Sequence, residues 1–471
     1  MSVTDIVNGV TAGMESFLQA CEGYWPSGQG RPRVLTRAPG RLDCMGGMAD
    51  FSGALALQMP IERAALALAG RRDDQKIEVH SLGWNGSACT SFQWPLSLFY
   101  QPDGQFTTPA ELNRAFTEAP WVRHVAGVCL MLLESGELPH FAGGFTLMIS
   151  SDIPPGAGLA SSAAIQIAAA KALAALFDVE LEAEPLLRTC RAASTEVVGA
   201  EPGLVDHVTC LLGESGTLLQ IRCQPGEVLG SLTLPRDVTM AAVDVGCRLP
   251  IYAQRYADNR VSCLMGRALI EGLLRASGDE RDPTGGYLAN VTPAEFVQRF
   301  RNELPVKMRG RDFFELYGTS EELQEVVRPD QVYKIRSRTE HHIYENDRTH
   351  RFLERLARAR RTGERDALVE AGELMYASHW SYGQRCGMGS IETDILVNLI
   401  RERGAARGLY GAKVTGGGCG GAIAVLMADN SPARAALQEA CSAYAARTKR
   451  EPAVLLGSSP GAASFGHRLL D

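Results

Sequence analysis

The sequence predicts a two-domain protein built from both strands and helices. At 471 residues the chain is longer than a single domain usually is, and 45% of its residues are hydrophobic, which is enough to bury large cores. Strand-like runs alternate with helical patterns up to about residue 235. Long helical patterns then dominate until strand character returns near residue 412. We therefore expect domains at 1–235 and 236–471.

Periodicity and turn residues assign most of the chain to elements. Up to residue 134 we predict a helix within 1–30, a strand from 34 that enters a turn at 38–41, strands at 54–59, 64–69 and 76–81, and helices at 109–116 and 121–134. Up to residue 244 we then predict a strand at 145–151, helices at 163–177 and 184–198, a hairpin at 216–234 and a buried strand at 239–244. The second half predicts helices at 255–276, 344–362, 366–381, 391–404 and 432–447, strands around 412–427 and at 453–456, and short irregular elements in 277–340.

The stretch from Pro154 to Ala164 connects a predicted strand to an Ala-rich helix. A Gly-rich loop that enters a helix exposes unpaired N–H groups at the positive end of the helix dipole, which suits a phosphate group. No Gly-Lys-Ser/Thr follows, so the loop is not a Walker loop, and an ordinary strand–loop–helix connection is the alternative. The candidate phosphate ligands are Pro155, Gly156, Ala157, Gly158, Leu159, Ser161 and Ser162.

Composition argues against several classes of function. The net charge of −7 argues against nucleic acid or an anionic membrane as the main partner. The 12 cysteines show no metal-binding spacing and fit a reducing compartment. The adjacent pair His341-His342, taken as lying on a strand, would point to opposite faces rather than share a metal. No signal peptide pattern opens the sequence, so we expect a cytoplasmic protein.

Two further Gly-rich segments, 38–53 and 411–421, flank the central loop along the chain. The second has five glycines in its final six residues, which indicates a backbone that contacts a ligand, or else a tight turn between domains.

With 154–164, these segments resemble the three motifs of the GHMP small-molecule kinases. The segment from Arg37 to Arg41, with its continuation through Asp50 to Gly53, resembles the first motif. The segment from Lys413 to Gly421 resembles the third. The likeness extends from about residue 33 over nearly the whole chain, and it is greatest to the sugar kinases, above all to the L-arabinokinase branch.

The resemblance implies a fold and a reaction. The fold is α+β, with a ribosomal S5 domain 2-like N-terminal domain, a ferredoxin-like C-terminal domain and the active site in the cleft between them. The reaction is transfer of the ATP γ-phosphoryl group to the anomeric hydroxyl of a sugar, with Mg²⁺. The partners are then Mg-ATP and a small sugar, with no nucleic acid, membrane or obligatory protein partner.

The same resemblance assigns roles to particular residues. Asp206, which closes a Gly-x-x-Asp loop, matches the carboxylate that accepts the hydroxyl proton, and Arg41 matches the Arg beside it. Asp50 matches the carboxylate that binds sugar hydroxyls, with an Asx turn as the alternative. Tyr256 matches an aromatic near the sugar, although a core position fits it equally. Trp121 is expected near the adenine, and the expected ATP contacts of the third motif are Gly417 and Gly418.

Gly47 and Met48 depart from the galactokinase pattern, which has Glu-His there and uses the Glu for the sugar's C6 hydroxyl. L-arabinopyranose has galactose's ring stereochemistry without that arm, so we expect L-arabinose to be preferred. Galactose, a uronic acid, or a non-catalytic role as a sugar and ATP sensor are the alternatives.

The magnesium carboxylate is a second departure. Ser194 stands where the family spacing places the acid, and Glu196 is the nearest carboxylate, about 200° further around a helix. The candidate ligands are therefore Ser161, with phosphates and water, or Glu196.

Overall fold

The structure is a computed structural model, and it describes residues 12–24, 32–82, 89–138, 140–141, 143–200, 203–224, 226–248, 252–278, 282–317, 321–418 and 421–470. The strands are β1 Arg33–Met45, β2 Leu55–Arg71, β3 Lys76–Ser81, β4 Thr90–Pro95, β5 Phe145–Ser151, β6 Thr217–Arg222, β7 Glu227–Thr233, β8 Val238–Asp244, β9 Lys307–Arg309, β10 Val332–Lys334, β11 Leu409–Val414, β12 Ala422–Ala428, β13 Ala453–Leu455 and β14 Arg468–Leu470. The α-helices are α1 Ala12–Glu22, α2 Pro109–Ala115, α3 Arg123–Glu134, α4 Ser161–Leu176, α5 Ala183–Ala192, α6 Leu204–Leu212, α7 Tyr252–Ser277, α8 Pro293–Glu295, α9 Gly310–Tyr317, α10 Glu321–Val326, α11 Ile335–Thr362, α12 Arg365–Ser381, α13 Ile391–Arg403, α14 Ser431–Thr448 and α15 Ala462–Phe465.

An 8-stranded sheet carries the first half of the chain, in the order β14-β1-β2-β5-β3-β4, with β6 paired to β2 and β7 paired to β6. Helix α4 packs on β1 and β2. Its alanines allow close approach, and the Thr36 hydroxyl of β1 donates to the Ala168 carbonyl at 2.7 Å. The loop 154–160 is the connection from β5 to α4, so its position is fixed by the core of this sheet.

Strands β1 and β2 are longer than the sequence predicts. The turn expected at 38–41 is wrong, because β1 continues through it with an irregularity in pairing between Pro39 and Arg41. The strands expected at 54–59 and 64–69 are one strand. Pro60 is tolerated there because β2 pairs with β6 through residues 55–58 and with β5 through residues 65–71, so Pro60 falls between these two partners.

A 4-stranded sheet in the order β11-β12-β8-β13 carries the second half. Helices α12 and α13 pack against β11. The chain then returns to the first sheet, where β14, which the sequence did not predict, pairs with β1. One apolar core includes residues of both sheets, for example Leu42 and Leu147 of the first and Val243 and Val425 of the second.

Much of the segment between β8 and α12 packs around an apolar cluster of its own. Helix α7 shares an apolar cluster with Leu288, Phe296, Phe313 and Tyr333, which belong to the short elements expected in 277–340. Long helix α11 begins at Ile335, so it includes His341 and His342, and the strand assumed for this pair is wrong. Both imidazoles are fully buried, and burial lowers their pKa well below the ordinary value.

Two expectations from composition can be compared with the described residues. Their cysteines are free thiols, and all except the half-exposed Cys89 are buried. None of the helices in the described part of the chain has the length and apolar character needed to span a bilayer. The predicted helix within residues 1–30 lies partly outside the described residues; its described part is α1.

Candidate active site

The loop between β5 and α4 has the backbone geometry that a phosphate site needs. Gly156 and Gly158 have φ values of +65° and +82°, and Ala160, the residue before α4, has φ 59°. Glycine adopts such angles without strain. Ser161 is half-buried and Ser162 exposed in the first turn of α4, where the helix dipole is positive.

Arg41 anchors this loop from β1. Its backbone N–H donates to the Leu159 carbonyl at 3.0 Å, and its Nη1 donates to the Gly158 carbonyl at 2.6 Å. Gly40 has to be glycine here, because an added Cβ would lie 2.7 Å from the Leu159 oxygen. The first Gly-rich segment and the central loop are therefore in direct contact.

The same guanidinium holds Asp206. Nη2 and Nε of Arg41 donate to Asp206 Oδ1 at 2.6 and 2.9 Å. The side chain of Arg41 is 6% exposed and that of Asp206 19% exposed, at the start of α6. Burial by itself lowers the pKa of Arg41, but the nearby carboxylates of Asp206 and Asp43 outweigh it and raise that pKa. Arg41 is therefore a permanent cation that joins the predicted base to the predicted phosphate loop.

The second sheet supports the loop from the other side. Arg248, which follows β8, donates from Nε to the Pro155 carbonyl at 2.7 Å and forms a two-pronged ion pair with Asp244 at 2.7 and 2.8 Å. The Ala422 N–H at the start of β12 donates to the Ala157 carbonyl at 3.1 Å. Sequence analysis missed Arg248, because nothing in its neighbourhood resembles a motif.

The third Gly-rich segment packs against the same groups. A Cβ on Gly416, which has φ +61°, would lie 3.1 Å from the Gly158 oxygen and 3.2 Å from Arg41 Nη2. Gly418 has φ +69°, and its Cβ would lie 3.0 Å from the ring of Tyr382. Gly417 lies half-buried between them. Positive φ angles and close neighbours therefore favour glycine at 416, against the loop and Arg41, and at 418, against Tyr382.

The residues predicted to contact sugar lie around an apolar cluster. Met48 is fully buried with Tyr382 and Met388, and Tyr256 packs against them. The Met48 N–H donates to the Tyr382 hydroxyl at 2.8 Å. The ring of Tyr256 lies 6.0 Å from that of Phe51, which shares a 3₁₀ turn with Asp50. The side chain of Asp50 lies outside the described structure, so its predicted role stays a prediction.

Gly47 has no room for a side chain. An added Cβ would lie 2.3 Å from Cγ of Asp43. That carboxylate is fully buried and accepts from Lys413 Nζ at 2.7 Å and from Gln58 Nε2 at 2.8 Å. Local sequence patterns cannot predict this pair, because Asp43 and Lys413 are 370 residues apart.

The position expected to supply a magnesium carboxylate is occupied by neutral groups. The Ser194 hydroxyl donates to Gln166 Oε1 at 2.7 Å, and His207 Nε2 lies 2.8 Å from the same oxygen. Burial lowers the pKa of His207 to about 3, so its imidazole is uncharged. No cluster of three or more metal-ligating side chains occurs in the described residues.

Glu196 lies in the π-helical turn Ala193–Val198 that follows α5, and its carboxylate is exposed. Burial raises the pKa of Glu134, and the nearby charge of Glu196 raises it further, which places Glu196 beside the end of α3. Ser161 at the start of α4 fits a metal held through hydroxyl, phosphate and water oxygens. Both assignments stay predictions.

Trp121 lies in a 3₁₀ turn, Pro120–Val122, that leads into α3. It is partly buried and packs against the main core. A half-buried indole of this kind offers a face to a flat ring. Its role toward adenine stays a prediction.

The GHMP kinases N terminal domain matches residues 123–214, and the GHMP kinases C terminal domain matches residues 364–446. A crystal structure of Lactococcus lactis galactokinase complexed with galactose has the same fold, with a TM-score of 0.71 at 20% identity, over 98% of this chain and 100% of that one. The chain thus contains both the N terminal and the C terminal domain of the GHMP kinases, and the predicted two-domain α+β fold is confirmed.

Curated relatives place the chain near the sugar kinases of this family. It is 31% identical to the L-arabinokinase of Arabidopsis thaliana over 92% of this chain and 46% of that protein. It is 28% identical to the galactokinase of Chloroflexus aurantiacus over 89% of this chain and 90% of that protein. The chain thus spans about half of the L-arabinokinase and nearly all of the galactokinase.

Proposed function

We propose that this protein is an ATP-dependent sugar kinase that phosphorylates the anomeric hydroxyl of L-arabinose. The observation that carries the proposal is the single buried guanidinium of Arg41, which contacts both the Asp206 carboxylate and the Gly158 carbonyl of the phosphate loop. An acceptor for the sugar proton and a cradle for the nucleotide are thereby held together.

In this mechanism the protein mainly positions the reactants and stabilises charge. Asp206 accepts the proton of the anomeric hydroxyl as that oxygen attacks the γ-phosphorus. The bond between this phosphorus and the bridging oxygen of the β-phosphate breaks, and ADP leaves. Arg41 orients Asp206 through two hydrogen bonds to its carboxylate. The N-terminal turn of α4, with Ser161 and Ser162, receives the phosphates, since helix N-termini favour anions. Magnesium, when bound, would neutralise charge on the phosphates, and the hydroxyl of Ser161 would help to hold it.

The choice of L-arabinose rests on the apolar wall that we expect Gly47 and Met48 to form beside the sugar. Gly47 carries no side chain, and Met48 is buried in an apolar cluster. The C6 hydroxyl of galactose would lose a hydrogen-bond partner against this wall, which costs about 1–3 kcal/mol, or roughly 5- to 150-fold in kcat/KM. The similarity to L-arabinokinase supports the same choice.

A uronic acid is a weaker candidate. A carboxylate at C6 would require a cation, and Gly47 and Met48 supply none. The nearby ammonium of Lys413 is fully buried and paired with Asp43. A non-catalytic sensor role is also weaker, because Asp206, Arg41 and the loop are joined in an arrangement suited to phosphoryl transfer.

Substrate analogues test the apolar wall without changing the protein. We expect kcat/KM to fall in the order L-arabinose, 6-deoxy-D-galactose, D-galactose, because only the last places a hydroxyl against Met48. The assay is ADP release at fixed Mg-ATP, with phosphorus NMR to show that the product is a sugar 1-phosphate. D-galactose performing better than its 6-deoxy analogue would refute the apolar wall while leaving the kinase intact.

A further inference from the structure

A buried ion pair lies directly behind the candidate active site. Asp43 of β1 and Lys413 of β11 have no solvent exposure, and Lys413 Nζ lies 2.7 Å from Asp43 Oδ2. The second carboxylate oxygen accepts from Gln58 at 2.8 Å. Lys413 Nζ also lies 5.0 Å from the centroid of the Tyr382 ring, which is a favourable place for a cation. Every charge in this group therefore has a partner.

The pair connects the two sheets of the molecule. Thr415, two residues beyond Lys413, makes a reciprocal contact with the Asp43 backbone. Its hydroxyl accepts from the Asp43 N–H at 2.9 Å and donates to the Asp43 carbonyl at 3.1 Å. Residue 43 is thus tied to the second sheet by three hydrogen bonds that involve both its side chain and its backbone.

These contacts fix the turn that packs on Arg41. Gly416 follows Thr415, and a Cβ on it would lie 3.2 Å from Arg41 Nη2 and 3.1 Å from the Gly158 oxygen. The Tyr382 hydroxyl, which lies near the same pair, donates to the Gly416 carbonyl at 3.2 Å. A shift of Lys413 or Thr415 would therefore move the surface against which Arg41 rests.

Stability alone is a weak reason for such a pair. Replacing a buried ion pair by apolar residues of similar size is often neutral or stabilising, because desolvation opposes the Coulomb attraction. The pair also demands glycine at 47, because Asp43 fills the space that a Cβ there would need. A costly pair that constrains a neighbouring position suggests a role in geometry.

We propose that Asp43 and Lys413 are a positioning pair, which holds the Gly416 turn against Arg41 and thereby sets the orientation of Arg41 toward Asp206. Neither residue contacts the reactants. The proposal rests on the kinase function proposed above, since positioning is measured through that reaction.

The test neutralises the pair without leaving a buried charge alone. In the double variant Asp43→Asn with Lys413→Met, both side chains keep nearly their original size. We expect kcat on the preferred sugar to fall about 10- to 100-fold, since small misplacements of catalytic groups have effects of that order. KM values for ATP and sugar should stay within about threefold, and the melting temperature should change little.

A second ion pair provides the control. The side chains of Arg72 and Glu78 are 24% and 29% exposed, and Glu78 belongs to β3, which is three strands away from β1 in the first sheet. The variant Glu78→Gln with Arg72→Met makes the same chemical changes at that distance from Asp43 and Lys413. We expect it to keep kcat within about threefold of the wild type, since it leaves catalytic geometry intact. An equal loss of kcat in both double variants would overturn the proposal.

The variant Thr415→Val tests the same positioning role without changing a buried charge, and it keeps the shape of the side chain. It removes both contacts with the Asp43 backbone, and we expect at least a roughly fivefold loss of kcat in a protein that stays folded. The melting temperature should fall, because two buried backbone groups lose their partner. Unchanged kcat in this variant, or in the Asp43 and Lys413 double variant, would overturn the positioning role. A wild-type protein that transfers phosphate to no sugar would instead overturn the proposed kinase function, so the two failures are distinguishable.

Discussion

Replacing Arg41 by methionine removes the group that joins the candidate base to the phosphate loop. Three charge-assisted hydrogen bonds are lost, two to Asp206 and one to the Gly158 carbonyl. Removing one partner of a buried pair costs about 3–5 kcal/mol. If most of that cost appears in the transition state, kcat/KM falls roughly 100- to 1,000-fold. Arg41→Lys should lose less than methionine but still fail to restore full activity, since an ammonium cannot reproduce the fork of contacts.

The assay is initial-rate kinetics of ADP release, with thermal denaturation to show that the variants are folded. Arg63→Met is the matched control, because its ion pair with Asp152 is half exposed on both sides and it should retain wild-type kinetics. A folded Arg41→Met protein with kcat/KM within threefold of the wild type would refute the role assigned to Arg41.

Three further predictions concern groups around the site. Gly47→Ala should lower the free energy of unfolding by about 3–5 kcal/mol in denaturant titrations, because the added Cβ displaces the buried carboxylate of Asp43. Gly13→Ala is the control: its added Cβ has no neighbour within 4 Å, so it should not lower the free energy of unfolding. Arg248→Met should raise KM for ATP about tenfold with a smaller change in kcat, because the Pro155 carbonyl loses its charged donor. The native pKa of His207, about 3, lies below the pKa of histidine in the unfolded chain. The unfolded protein therefore binds an extra proton, and the free energy of unfolding falls as the pH drops from about 6.5 toward 3. In His207→Gln, the free energy of unfolding should fall less steeply between about pH 7 and pH 5.

The local part of the fold could be predicted from sequence. The strand at 145–151 is β5 as predicted, and the Ala-rich helix begins at Ser161 instead of Ala163. Alternation and helix propensity carry that information within a few residues. The continuity of β2 through Pro60 could not be predicted in this way. Proline usually interrupts a strand, and only the arrangement of β6 and β5 beside β2 shows that no backbone donor is needed there.

Within the site, motifs predicted Arg41, Asp206 and the loop, and the structure places all three in contact. The groups that hold them could not be predicted. Lys413 lies in a quoted motif, but its pairing with Asp43 depends on how the two sheets pack, which no local pattern encodes. The absence of a side chain at Gly47 was attributed to the substrate. The structure adds a nearer cause, the carboxylate of Asp43.

Phosphate transfer from Mg-ATP to L-arabinose, D-galactose, D-glucuronate and D-galacturonate, measured with wild-type protein and Asp206→Asn, tests the account most directly. The account predicts turnover that is greatest on L-arabinose and falls roughly 100-fold or more in the Asn variant, which cannot accept the proton. Turnover that is undiminished in Asp206→Asn would contradict the assigned base. ATP binding with no transfer to any of the four sugars would contradict the central claim and favour the sensor.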